Sequence, residues 1–172
     1  GEKINIEFVS ANPTGPMHLA SGRGATLGDS LARIMRFLGY KVDKEFYVND
    51  IGRQVELLGR SLKARSLGVE PPEGGYKGGY LKETAAALPG GSAGGPDRRF
   101  SEFAVSEMLR LHKADMKAFG VEFDRWFLES ELHAVRGPAK AREELKKSGM
   151  IYDKEGALWL GTSSGRESDD KD

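Results

Sequence analysis

Apolar positions in the first part of the chain follow two alternating periods. Ile4 to Val9 is a short apolar run broken only by Asn5 and Glu7, as expected of a strand in a covered parallel sheet. A loop punctuated by Pro and Gly follows, Asn12-Pro13-Thr14-Gly15-Pro16. Leu27, Leu31, Ile34 and Leu38 then recur every three or four residues and mark one face of an amphipathic helix, which Gly39 closes. Lys41 to Val48 reads as a second strand, with Val42, Phe46 and Val48 on one side. Ile51, Val55, Leu58 and Leu62 mark a second helix. Strand, helix, strand, helix is the opening of a doubly wound α/β fold.

The pattern changes near Gly68. Val69 to Gly79 and Pro89 to Asp97 are rich in Pro and Gly and read as loops around a short helix, Tyr80 to Leu88. A longer helix is expected from Ser101, with Val105, Met108, Leu109, His112, Met116 and Phe119 on one face and Gly120 at its end. Glu122 to Glu129 reads as a strand, and Pro138 as the first turn of another helix. Met150 to Tyr152 and Ala157 to Leu160 flank a four-residue hairpin loop. The expected organisation is a Rossmann-like βαβα half over residues 1–68, an α+β connective insertion over 69–160, and a polar, disordered tail over 161–172.

Composition narrows the chemistry. With Lys plus Arg at 26 and Asp plus Glu at 26, the net charge is 26 − 26 = 0. Any nucleic-acid contact must therefore come from a local patch, and the one basic face, Arg60, Lys63 and Arg65, is of the ordinary solvated kind. The absence of cysteine excludes disulfides, Cys-ligated zinc and a thiol nucleophile, and fits a reducing cytoplasm. No apolar run approaches the roughly 20 residues of a membrane span.

The candidate chemistry lies in the first loop. A strand, a Gly-rich turn and a helix start present backbone N–H groups to a phosphate. Pro13 and Pro16 stiffen the path, so His18 is expected just ahead of the helix's positive end. Asp50 is either the cap of the second helix or a pocket wall, the cap being preferred. His112 reads as a satisfied core or semi-buried histidine, and His133 has no metal-ligand spacing around it.

EFVSANPTGPMH followed by GRGATLGDSLARI resembles the first nucleotide-binding segment of the arginyl-tRNA synthetases, class I enzymes with a Rossmann core. The similarity continues through YVNDIGRQ, GVEFDRWF and IYDKEGALWL and so covers nearly the whole chain. The family's His-x-Gly-His reads His18-Leu19-Ala20-Ser21 here. Ala20 adds a methyl where the family leaves room for adenine, and Ser21 can donate a hydrogen bond or cap the helix but brings no charge. The resemblance implies His18 and Ser21 as catalytic groups. It places ATP, with Mg2+, against Pro16, His18, Ala20, Ser21, Gly22 and Gly24, and L-arginine against Glu7, Ser10, Asn12 and Asp50. No protein-bound metal is implied.

The implied reaction is attack of the arginine carboxylate on the α-phosphate of ATP, then transfer of the arginyl group to tRNA(Arg). The family's Lys-Met-Ser-Lys-Ser loop is not in the sequence. The chain is therefore expected to be an excised first half of the catalytic core, inactive alone, with an exposed apolar strip where the rest of the core docks. Alternatives are a non-catalytic nucleotide-binding paralogue or an unrelated nucleotidyltransferase.

Overall fold

A computed structural model describes residues 1–90 and 95–161. Its elements are β1 (Lys3–Glu7), α1 (Leu19–Phe37), β2 (Lys41–Val48), α2 (Arg53–Ser66), α3 (Tyr80–Ala86), α4 (Asp97–Ala118), β3 (Arg125–Leu128), α5 (Glu129–Ala134), α6 (Gly137–Lys147), β4 (Ile151–Lys154) and β5 (Ala157–Leu160). The chain divides into two compact units, Gly1–Ser130 and Glu131–Asp172.

In the first unit three strands form one parallel sheet in the order β1-β2-β3. Ile4 lies opposite Val42 and Ile6 opposite Lys44, while Phe46 lies opposite Trp126 and Val48 opposite Leu128. This is the α/β, Rossmann-like architecture the periods implied. The compact units do not part after residue 68, however. β3 hydrogen-bonds to β2 as a sheet strand, and α2 packs on α3 and α4, so the β2–β3 crossover belongs to the same unit as the sheet.

The larger core lies among these helices. Leu58 and Leu62 of α2, Leu81 of α3, and Phe100, Ala104 and Met108 of α4 close on one another with Leu88. Burying each large side chain contributes about 1.5–3 kcal/mol. α4 begins at Asp97, four residues before the expected Ser101, because Pro96 supplies an extended N-cap position. The second core joins Ala25, Met116 and Val121 to Phe8, Phe123 and Trp126. Phe46 stacks on Trp126 at 4.2 Å and meets Phe123 edge-on at 5.2 Å.

Helix α1 departs from its apparent stripe. An amphipathic helix ordinarily turns its large apolar residues to the core. Here Leu27 is 71% exposed, Ile34 57% and Leu38 65%. The buried face is Ser21, Ala25, Gly28, Asp29 and Ala32. The cause is close approach to β1: a Cβ built on Gly28 would overlap the Phe8 ring. Within that seam Lys44 Nζ reaches Asp29 at 2.8 Å, and Arg33 Nε reaches it at 2.5 Å. Burial pushes the Asp29 carboxyl up, but the hydrogen bonds and charges of Lys44 and Arg33 outweigh it and hold the group below the usual carboxylate value.

The second unit carries α6, with Pro138 in its first turn, and the antiparallel β4–β5 hairpin. The hairpin loop has two residues rather than four. Glu155 (φ 54°) and Gly156 (φ 77°) both take the left-handed backbone of a tight hairpin turn. The expected tail beyond Gly161 and residues 91–94 of the Gly-rich run lie outside the described residues.

Candidate functional site

The chain leaves β1 through two non-glycine residues of left-handed backbone, Val9 (φ 68°) and Ser10 (φ 42°). Ser10 Oγ donates to Glu7 Oε1 at 2.8 Å and accepts from the Tyr47 N–H at 3.0 Å, which fastens this turn to β2. Asn12 Nδ2 donates to Gln54 Oε1 at 3.0 Å. The loop then reaches His18, the N-cap residue of α1, with extended backbone (φ −127°, ψ 176°). Its carbonyl accepts from Ser21 N at 2.9 Å, while its imidazole makes no cap hydrogen bond and is exposed. The first two amides of α1, Leu19 and Ala20, lie ahead of that bond and form the positive end of the helix.

A cavity of about 610 Å³ opens here, lined by the loop from Ala11 to His18, by Ala20, Ser21 and Gly24 of α1, and by Tyr76 and Tyr80. No carboxylate lines it, which suits a polyanion. A larger hollow of about 930 Å³ runs between α2 and α4, but its four carboxylates, Asp50, Glu56, Asp97 and Glu102, outnumber Arg60 and Arg98 and disfavour a phosphate. Tyr80 donates its hydroxyl to the Thr14 carbonyl at 2.6 Å. Burial first, then the neighbouring Tyr76, pushes its phenol up to about 12, so the donor proton is retained.

A second group gathers at the carboxyl ends of the strands. Glu7 ends β1, Asp50 follows β2 and Glu129 follows β3, and a parallel sheet puts all three at one edge. Tyr47 lies among them. Burial, then the Glu129 carboxylate to which its hydroxyl is bonded, then Asp50 and Glu7, hold its phenol above the ordinary value. Asn49, its amide oriented to satisfy its surroundings, donates to Glu129 Oε2 at 2.7 Å. Asp50 is not the cap of α2. Gly52 takes that position with φ 89°, and Asp50 turns to the first turn of α5, accepting from Ser130 N at 2.9 Å and Ser130 Oγ at 2.6 Å.

Comparison with known proteins bears directly on this arrangement. Residues 1–69 match the family model for the catalytic domain of class I tRNA synthetases (R). An arginine–tRNA ligase of Elusimicrobium minutum is 53% identical over 171 residues, 99% of this chain and 32% of the relative. The chain belongs to the arginyl-tRNA synthetase family. A second arginine–tRNA ligase, from Gloeobacter violaceus, is 51% identical over 160 residues, 88% of this chain and 27% of that protein. The crystal structure of a provisionally assigned arginyl-tRNA synthetase from Campylobacter jejuni superposes with a TM-score of 0.80 at 36% identity, covering 93% of this chain and 38% of the other. The chain thus spans about a third of the length of the curated relatives it matches.

Against this synthetase background the expected site residues separate. Pro16, His18, Ala20, Ser21, Gly24 and Asn12 share the cavity at the start of α1, and Gly22 does not line it. Ser21 lies inside the helix on its buried face, so it cannot be the cap. A Cβ at Gly22 or Gly24 would meet nothing nearer than 3.8 Å, so neither glycine is required by the chain's own packing. Glu7, Ser10 and Asp50 stand at the sheet edge instead. Three residues of the site had gone unread: Tyr47 and Glu129 at the strand ends, and Tyr80 at the loop. Only Tyr47 carried a sequence signal, since it opens the family-like stretch YVNDIGRQ. His112 is fully buried, as read, but its ring reaches the Gly15 carbonyl at 2.7 Å.

Proposed function

We propose that the chain is the first part of the catalytic core of an arginine–tRNA ligase, which activates L-arginine with ATP and passes it to tRNA(Arg). The observation that carries this reading is the juxtaposition at the start of α1. An exposed imidazole, the Leu19 and Ala20 amides at the start of the helix and a cavity free of carboxylates come together where a triphosphate can bind. Glu7, with Asp50 and Glu129 at the same sheet edge, supplies the acceptors that a guanidinium and an ammonium require.

On this reading the arginine carboxylate attacks the α-phosphate, pyrophosphate leaves, and the terminal ribose hydroxyl of tRNA then takes the arginyl group from the adenylate. The chain's own groups align and stabilise charge and form no covalent intermediate. His18 donates to a phosphate oxygen as the new bond forms. On the ligase reading Mg2+ would arrive with the nucleotide. No helix among the described residues is long and apolar enough to cross a membrane, and a cytoplasmic role in translation follows from the ligase reading. The rest of the core would pack on the outer face of α1, where Leu27, Ile34 and Leu38 are exposed. The chain by itself is expected to be inactive.

The test is arginine-dependent pyrophosphate exchange in the longer protein. His18→Ala should lower the rate about 10²–10³-fold, and lysine should not replace arginine. Unchanged exchange would sink the assignment. A second reading, a nucleotide-binding paralogue without charging activity, is favoured by Ala20 and by the buried Ser21 in place of a histidine. It predicts ATP binding with no exchange at all.

A further inference from the structure

The loop between β1 and α1 makes its own bonds only in its first half, with Ser10 N donating to the Phe8 carbonyl at 3.0 Å and Thr14 N to the Asn12 carbonyl at 2.8 Å. Pro13 and Pro16 bring no N–H, and the path enters through the left-handed pair Val9 and Ser10. Its first half is tied through Ser10 to Tyr47 and through Asn12 to Gln54; the stretch nearest His18 is held from the β2–β3 crossover, far away in sequence. Tyr80 grips the Thr14 carbonyl at 2.6 Å, and His112 of α4 grips the Gly15 carbonyl at 2.7 Å. Gly15 stands three residues before His18, and the proline between them passes its restraint forward along a stiff backbone.

The His112 bond also defines the ring. A carbonyl only accepts, so Nε2 carries the hydrogen. Nδ1 is then left as an acceptor, and it is buried with no partner. A leucine of similar size would fill this core without that cost. What histidine adds is the donor to Gly15. We propose that His112 is a positioning residue of the nucleotide site: through the Gly15 carbonyl it holds the loop, and with it the His18 imidazole and the opening amides of α1, where the phosphates are received. This rests on the reading of that cavity as the ATP site. Burial lowers the His112 pKa, against weaker opposing effects of the Gly15 bond and Asp115, and so favours the neutral ring.

Two variants of the 172-residue chain test this. His112→Leu keeps the bulk and deletes the donor, whereas His112→Gln keeps an N–H at a comparable reach. The readouts are 15N relaxation at Gly15, Met17 and His18, ATP titration, and the His112 tautomer in the parent chain. The leucine variant should drop loop order parameters from about 0.85 to below about 0.6, with amides around Leu58 and Leu62 unchanged. It should weaken ATP binding about tenfold or more, and the glutamine variant should restore binding to within about threefold. A leucine variant with a loop as rigid as the parent's, or a glutamine variant as loose as leucine, would overturn the proposal. If the leucine variant does not fold, the parent's tautomer decides: a hydrogen on Nδ1 refutes the bond, and one on Nε2 with glutamine rescue upholds it. Failure of the parent chain to bind ATP would defeat the nucleotide reading alone, since relaxation and tautomer still report on the loop.

Discussion

Helices α1 and α2 carry apolar stripes of equal regularity and use them in opposite ways. Val55, Leu58 and Leu62 of α2 close against α3 and α4. Leu27, Ile34 and Leu38 of α1 face outward, and the helix meets the sheet through Ala25, Gly28, Asp29 and Ala32. The difference comes from what each helix covers. α2 faces other helices, whose surfaces accept large side chains between ridges. α1 lies on a sheet already filled by Phe8 and by the long stem of Lys44, so only small residues bring the backbones close enough.

The contrast breaks most visibly in α2. Leu62→Ala should cost about 2–5 kcal/mol in urea unfolding, as in any well-packed core; a loss below 1 kcal/mol would mean that this interface is loose. Gly28→Ala comes next. Its methyl must displace the Phe8 ring, at about 1–3 kcal/mol, and Phe8→Ala in the same chain should recover part of that loss. The third effect is confined to acid. Asp29 has a lowered folded pKa, so its contribution is complete above the ordinary value of 3.8 and fades as pH falls through the lower folded value. Urea midpoints measured from about pH 5 down to about pH 2 should therefore fall less steeply in Asp29→Asn than in the parent. The smallest change is on the outer stripe. Leu27→Ser with Ile34→Ser should move stability by no more than about 0.5 kcal/mol. The same pair should reduce any concentration dependence of sedimentation, because it removes exposed apolar surface of the kind that drives association.

The site divides along the same line. His18 at the head of α1 was legible because Pro13, Pro16 and the helical period that follows act over a few residues. Asp50 was misjudged as a cap because its spacing to α2 suits one, while Gly52 turns the backbone and sends the carboxylate to Ser130. Tyr80 and His112 were invisible as loop restraints, since they act on Thr14 and Gly15 across 66 and 97 residues.

Local order along the chain was sufficient for most of the elements, though not for α5, for the parallel α/β class and, through its motifs, for the family. Strand and helix periods depend on neighbours within a turn or two, and those neighbours are in the sequence itself. Which face of α1 is covered, which groups fasten the signature loop, and which carboxylates collect around Tyr47 were decided only when distant segments met. Each of these depends on the volume and the hydrogen-bonding atoms that one layer leaves free for the next, and no periodicity encodes that.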